Sequence, residues 1–125
     1  MPAPELLDLQ IIHELVGVTA DSGNTFMQQL LQSFAVDAHG ALERMQQHAR
    51  RGDSAALARE AHRLRGSSGT VGAVRLAGEC LAIERSARAG SCGALESSIE
   101  RALDVLDATR NGMTEFFRGT IAGAA

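Results

Sequence analysis

Phe26, Leu30, Phe34, Ala38, Ala41, Leu42, Met45 and Ala49 recur at three- and four-residue intervals, which places them on one face of a helix about seven turns long. The chain has no Trp or Tyr and only four Phe in 125 residues, so its core must be built from Leu, Ile, Val, Ala and Met. That mixture favours packed helices over a sheet, where β-branched and aromatic residues concentrate.

Cap and stop signals divide the rest of the chain into further helices. A short first helix is predicted over about Leu6 to Gly17, with Leu6, Leu9, Ile12, Leu15 and Val16 apolar. Asp21 or Ser22 can cap the long second helix, because a side-chain oxygen there accepts from the free amides of the first turn. Gly52 ends it and Asp53 opens the third, a C-cap glycine followed by an N-cap aspartate. The break Gly69-Thr70-Val71-Gly72 separates the third helix from the fourth, whose stripe is Ala73, Leu76, Ala77, Cys80, Ile83 and Ala87. Gly90 and Ser91 repeat the stop and start. The last helix carries Leu95, Ile99, Ala102, Leu103, Leu106, Met113, Phe116 and Phe117, with Asn111-Gly112 as a kink or an early end. Short connections between four long amphipathic segments predict an all-α, up-down-up-down antiparallel four-helix bundle with a short additional N-terminal helix. Residues 1–125 read as one domain, with a core over 6–118 and a frayed tail at 119–125.

On the third helix, Leu57, Ala61, Leu64 and Ser68 share a narrow stripe, and His62 lies roughly 130° away from it, toward water. Its neighbours on that face are Ala55, Ala58, Gly66 and Gly69, with Arg59 and Arg65 at the edges. Nothing large stands beside the imidazole. A glycine inside a helix costs about 1 kcal/mol relative to alanine, so two of them here suggest a need for clearance. Two readings follow: a nucleophile that another macromolecule must reach, or an incidental surface histidine beside helix-weakening glycines.

Composition and spacing exclude several other chemistries. A formal charge of −3 leaves no basic excess for nucleic-acid phosphates. All twelve basic residues are Arg, which reads as compositional bias. Cys80 and Cys92 form no C-x-x-C motif and are too few for a disulfide framework. Di-metal bundles need Glu-x-x-His, but Gln10, Val36, Met45 and Arg59 precede the four histidines by three residues. No haem or zinc pattern is present, so no metal ligands are assigned. The stretch from Gly66 to Gly72 lacks the spacing and the lysine of a nucleotide phosphate loop, so the chain is not expected to act as its own kinase. No signal peptide and no apolar run near the length of a membrane span is found, and the chain is expected to be cytoplasmic, without direct membrane contact.

Ala61 to Ser68 resembles the A-H-x-L-K-G-S-S signature of histidine-containing phosphotransfer (HPt) domains of bacterial multistep phosphorelays, with Arg65 where lysine is more usual. The similarity continues through Gly72-Ala73, Leu76, Cys80-Leu81, Glu84 and the helix end Arg88-Ala89-Gly90, and more loosely from Leu6 to Phe117. The resemblance implies that His62 accepts a phosphoryl group from a receiver-domain phosphoaspartate and passes it to another receiver aspartate. Arg65 would offset charge on the phosphoryl oxygens. Gly66, with Ala55, Ala58, Arg59 and Gly69, would form the docking face for the receiver. Ser67 and Ser68 read first as hydroxyls bonding back to carbonyls one turn earlier, with Ser67 near the phosphoryl group as the alternative. Glu84 falls on the apolar stripe of the fourth helix and needs a partner, either Arg88 four residues on or the Nδ1–H of His62 across the helix pair.

The resemblance further implies no cofactor on this chain, with Mg2+ only in the partner receiver. The expected product is a monomeric phosphocarrier without its own ATP site, partnered by receiver domains or by other domains of a parent hybrid sensor kinase. Two alternatives stay open: a phosphorylatable substrate domain of a larger histidine kinase, and a bundle that acts only as a protein-interaction module. His13, His39 and His48 read as structural or solvated.

Overall fold

In the computed structural model, which describes residues 6–18, 23–91 and 94–124, five helices follow one another. They are α1 (Leu9–Val18), α2 (Gly23–Arg50), α3 (Ser54–Thr70), α4 (Val74–Arg88) and α5 (Leu95–Ala124). No strand is present among the described residues. α3 packs on α2 and α4, and α5 packs on the other sides of those same two helices. The four long helices therefore close a ring in chain order, the up-down-up-down bundle expected from the short connections.

Met45, Leu42, Leu57, Leu76, Ile83, Ile99 and Leu106 are fully buried at the centre. Each contributes about 1.5–3 kcal/mol by leaving water. Three glycines end α2, α3 and α4 in the left-handed region: Gly52 (φ 71°), Gly72 (φ 82°) and Gly90 (φ 84°). Each stop has the same paired bonds; at α3, Gly72 N–H donates to Gly69 O (3.2 Å) and Ala73 N–H to Ser68 O (2.8 Å). This pairing satisfies carbonyls that the helix end would otherwise leave open.

At Gly72 a second constraint acts. Its carbonyl accepts from Asp8 N–H at 2.8 Å, and Leu6 O accepts from Arg75 N–H at 3.4 Å, so the segment before α1 is tied to the α3–α4 turn. A Cβ on Gly72 would lie 3.0 Å from Asp8 O and 3.2 Å from Ile12 Cγ1.

The structure corrects the sequence reading in several places. α1 starts at Leu9 rather than Leu6, and Leu9 is exposed while Leu7 and Ile12 are buried. On α2, Met27 and Leu31 enter the core and Leu30 is exposed, so the buried stripe there is turned by one residue. α5 passes through Asn111-Gly112 without a break and continues helically through residues 119–124, where a tail was expected. Leu7 packs within 3.4 Å of where a Cβ of Gly112 would stand, so a glycine there admits the N-terminal segment. The cap at Asp21 or Ser22, and the side chains of Val16, Phe26 and Phe117, lie outside the described residues.

Candidate functional site

The Asp53 side chain accepts from Ala56 N–H at 3.1 Å and fixes the start of α3. From that start, Leu57, Ala61, Leu64 and Ser68 face the core. His62 faces out, with 58% of its side chain exposed. Ala55, Arg59 and Gly66 are exposed on the same side and Gly69 is half-buried. Cβ atoms at Gly66 and Gly69 would meet nothing within 4 Å, so nothing in the fold requires glycine at either position. Ala58 departs from the expected docking face, being only 3% exposed. It stands about 40° from His62 toward the core stripe, on the side where α3 meets α4, and this tilt is enough to bury it.

Across the α3–α4 contact, Glu84 lies on α4 with only 8% of its side chain exposed. Its Oε2 is 3.0 Å from His62 Nδ1. The same oxygen accepts from Arg88 Nε–H (3.1 Å) and Nη2–H (2.9 Å), so both partners weighed for Glu84 are engaged together. Arg65 completes the cluster. Its Nε faces Glu84 Oε1 at 3.3 Å as a charge pair, although neither atom has an aligned hydrogen bond.

Burial pushes the Glu84 carboxyl pKa up, but hydrogen bonds from Arg88 and His62, with the charges of His62 and Arg65, outweigh it and hold the group below its ordinary value. Glu84 is therefore ionised at neutral pH and can only accept hydrogen bonds.

Arg65 Nη2 also lies 3.0 Å from His62 Nδ1. A guanidinium only donates and an ionised carboxylate only accepts, so Nδ1 can satisfy one neighbour at a time. Glu84 is the stronger claimant, because it is a buried anion, whereas partly exposed Arg65 can turn to water. Nδ1 then carries the proton and donates to Glu84, which leaves the lone pair on Nε2. A neutral imidazole held this way is a nucleophile at Nε2, with a partly exposed cation one helical turn away.

The remaining residues separate from this cluster. Ser67 Oγ donates back to Leu64 O (3.2 Å) and Arg63 O (3.4 Å), as the structural reading predicts. Ser68 does not; its buried Oγ has no hydrogen-bond partner. Cys80 is a buried thiol whose pKa is pushed up to about 12 by desolvation first and Glu79 second. His39 pairs with Glu43 at 2.7 Å on the surface, and His13 meets Phe116 edge-on with centroids 5.3 Å apart. Among the described residues no group of three His, Cys, Asp or Glu side chains could hold a metal ion. The Arg65–Glu84 ion pair escaped sequence reasoning. Its only trace there is that Arg65 follows His62 by three residues and so leans toward α4.

Residues 29–112 match the family model for the Hpt domain, and the chain belongs to that family. Its fold is similar to the crystal structure of histidine-containing phosphotransfer protein B (HptB) from Pseudomonas aeruginosa PAO1, with a TM-score of 0.80 and 29% sequence identity. That similarity covers 90% of this chain and 95% of the other. No curated protein sequence gives a significant match. The chain is thus a phosphocarrier module with a histidine phosphotransfer role in a phosphorelay, where Hpt domains interact with receiver domains. Among the described residues no helix is long and apolar enough to cross a membrane.

Proposed function

We propose that His62 is the phosphoryl acceptor of this Hpt domain. The observation that carries this is the exposed imidazole whose Nδ1–H is held at 3.0 Å by the buried, ionised Glu84. A receiver docks over the bare surface at Ala55, Arg59, Gly66 and Gly69. The Nε2 lone pair attacks the phosphorus of its phosphoaspartate, the P–O bond to the aspartyl oxygen breaks, and the carboxylate departs with the electron pair. A second receiver aspartate reverses these steps and takes the group on. Arg65 turns from Nδ1 to the phosphoryl oxygens and offsets their charge.

The divalent ion belongs to the receiver in this reading, because the one carboxylate at the site, Glu84, is already neutralised by two arginines. The domain brings no cofactor or ATP site of its own, works as a cytoplasmic monomer, and serves either as a free protein or as part of a hybrid sensor kinase.

The test is incubation with a receiver charged by a small phosphodonor. Acid-labile, base-stable phosphate should form on the wild-type chain and not on His62→Gln. The variant should stay folded and lose no more than about 1–2 kcal/mol, because the replaced side chain is mostly exposed and Arg88 still partners Glu84 when the His62 bond is lost. Acid-labile phosphate retained by His62→Gln would place the acceptor elsewhere.

A further inference from the structure

The Glu84 carboxylate is loaded on one oxygen. Oε2 accepts from His62 Nδ1–H (3.0 Å), Arg88 Nε–H (3.1 Å) and Arg88 Nη2–H (2.9 Å). Oε1 has no hydrogen bond and faces Arg65 Nε at 3.3 Å. An arginine commonly grips a carboxylate across both oxygens. Arg88 instead directs two donors at the single oxygen that also serves the histidine.

Arg88 sits one turn beyond Glu84, at the last position of α4, with 59% of its side chain exposed. The core does not depend on it. Two arginines therefore pull the carboxylate from opposite oxygens, and the torsion between them is soft. Without Arg88, the nearest remaining guanidinium is Arg65, and rotation of the carboxylate into its fork draws Oε2 away from Nδ1. Arg65 Nη2, already 3.0 Å from Nδ1, would then favour the tautomer protonated at Nε2, which has no lone pair there to attack phosphorus.

We propose that Arg88 is a positioning residue for phosphotransfer: by anchoring Glu84 Oε2 against His62 Nδ1–H, it keeps the imidazole in the tautomer whose Nε2 is free. Arg65 and Arg88 thus do different work on one carboxylate. The transfer readout below rests on His62 being the acceptor, whereas the tautomer readout rests on the geometry alone.

The experiment compares wild type, Arg88→Met and Arg88→Lys by 15N NMR of the His62 ring at a pH where the imidazole is neutral. Arg88→Met should shift the tautomer ratio toward Nε2–H by about fivefold, and Arg88→Lys, which keeps one charged donor, should restore most of it. Phosphotransfer from a charged receiver should slow by about tenfold in Arg88→Met. Adding Arg88→Met to Glu84→Ala should slow transfer no further, because the anchored group is already gone. An unchanged tautomer ratio in folded Arg88→Met overturns the proposal. So do multiplying losses in the double variant, which would make Arg88 a direct receiver contact. A shifted tautomer in a chain that accepts no phosphate at His62 would support the anchoring role and sink the acceptor assignment instead.

Discussion

Gly66 opposes two effects of known size. It lies inside α3, is exposed, and would meet no atom within 4 Å if it carried a Cβ. Replacement by alanine removes the backbone-entropy penalty of a helical glycine and meets no steric resistance, so it should stabilise the domain by up to about 1 kcal/mol. For a domain of this size that corresponds to a rise of roughly 3–5 °C in Tm. Replacement by glutamine should also stabilise, by about half as much, since its helix propensity lies between those of glycine and alanine. Its amide, however, stands one turn from His62, on the surface proposed above for receiver docking. Gly66→Gln should therefore slow transfer from a charged receiver by at least about tenfold, or about 1.4 kcal/mol of lost transition-state stabilisation. Thermal melts and quenched-flow transfer from one preparation measure both effects. Transfer at the wild-type rate in Gly66→Gln would show that the bare surface around His62 is incidental. A lowered Tm in Gly66→Ala would show that the open space around Gly66 has been misread.

Gly72 should respond with the opposite sign. Alanine there must hold φ near 82° with its Cβ 3.0 Å from Asp8 O, so stability should fall by at least about 1–2 kcal/mol, measured by urea unfolding. Asp53→Ala removes the acceptor for Ala56 N–H and should cost about 1 kcal/mol in the same assay, whereas Asp53→Asn should cost only a few tenths. Glu84 links stability to acid. Its folded pKa is depressed, so its contribution is complete above the ordinary value of 4.5 and is lost as pH falls through the lowered one. The stability gap between wild type and Glu84→Gln should therefore narrow as pH falls below about 4.5; a gap that keeps its full size in that acid range would contradict the ion-pair assignment.

The helix stops were legible because their chemistry is local. Gly52, Gly72 and Gly90 adopt the left-handed backbone that glycine tolerates best, and Asp53 caps from within its own turn. The approach of Glu84 to His62 was legible for another reason: a carboxylate on an apolar stripe must find a donor. What stayed hidden depends on neighbours that a helical projection does not contain. The projection put Ala58 beside His62, but the crossing of α4 decides its burial. Two stripes on α2, through Leu30 or through Met27 and Leu31, satisfy the same spacing, and only packing chooses between them. Asn111-Gly112 reads as a break in isolation, yet in the bundle Gly112 is the place where Leu7 fits. The division of Glu84 between Arg65 and Arg88 depends on long side chains whose rotamers no spacing rule fixes.

His62 and Glu84 are 22 positions apart, on consecutive helices joined by a tight turn. Bringing them together closes a short loop, so the entropy lost in forming the site is lower, by about 1 kcal/mol, than that of docking α5 against α2. Helical domains dominated by such local contacts reach the native state within microseconds to milliseconds. The α3–α4 hairpin can therefore acquire its reactive geometry early, before the ring of helices is complete. It should also keep that geometry through native-state openings that release α1 or the far end of α5. Amide protons flanking His62 and Glu84 should exchange only in the slowest unfolding events, while those of α1 and of the last turns of α5 exchange well before them.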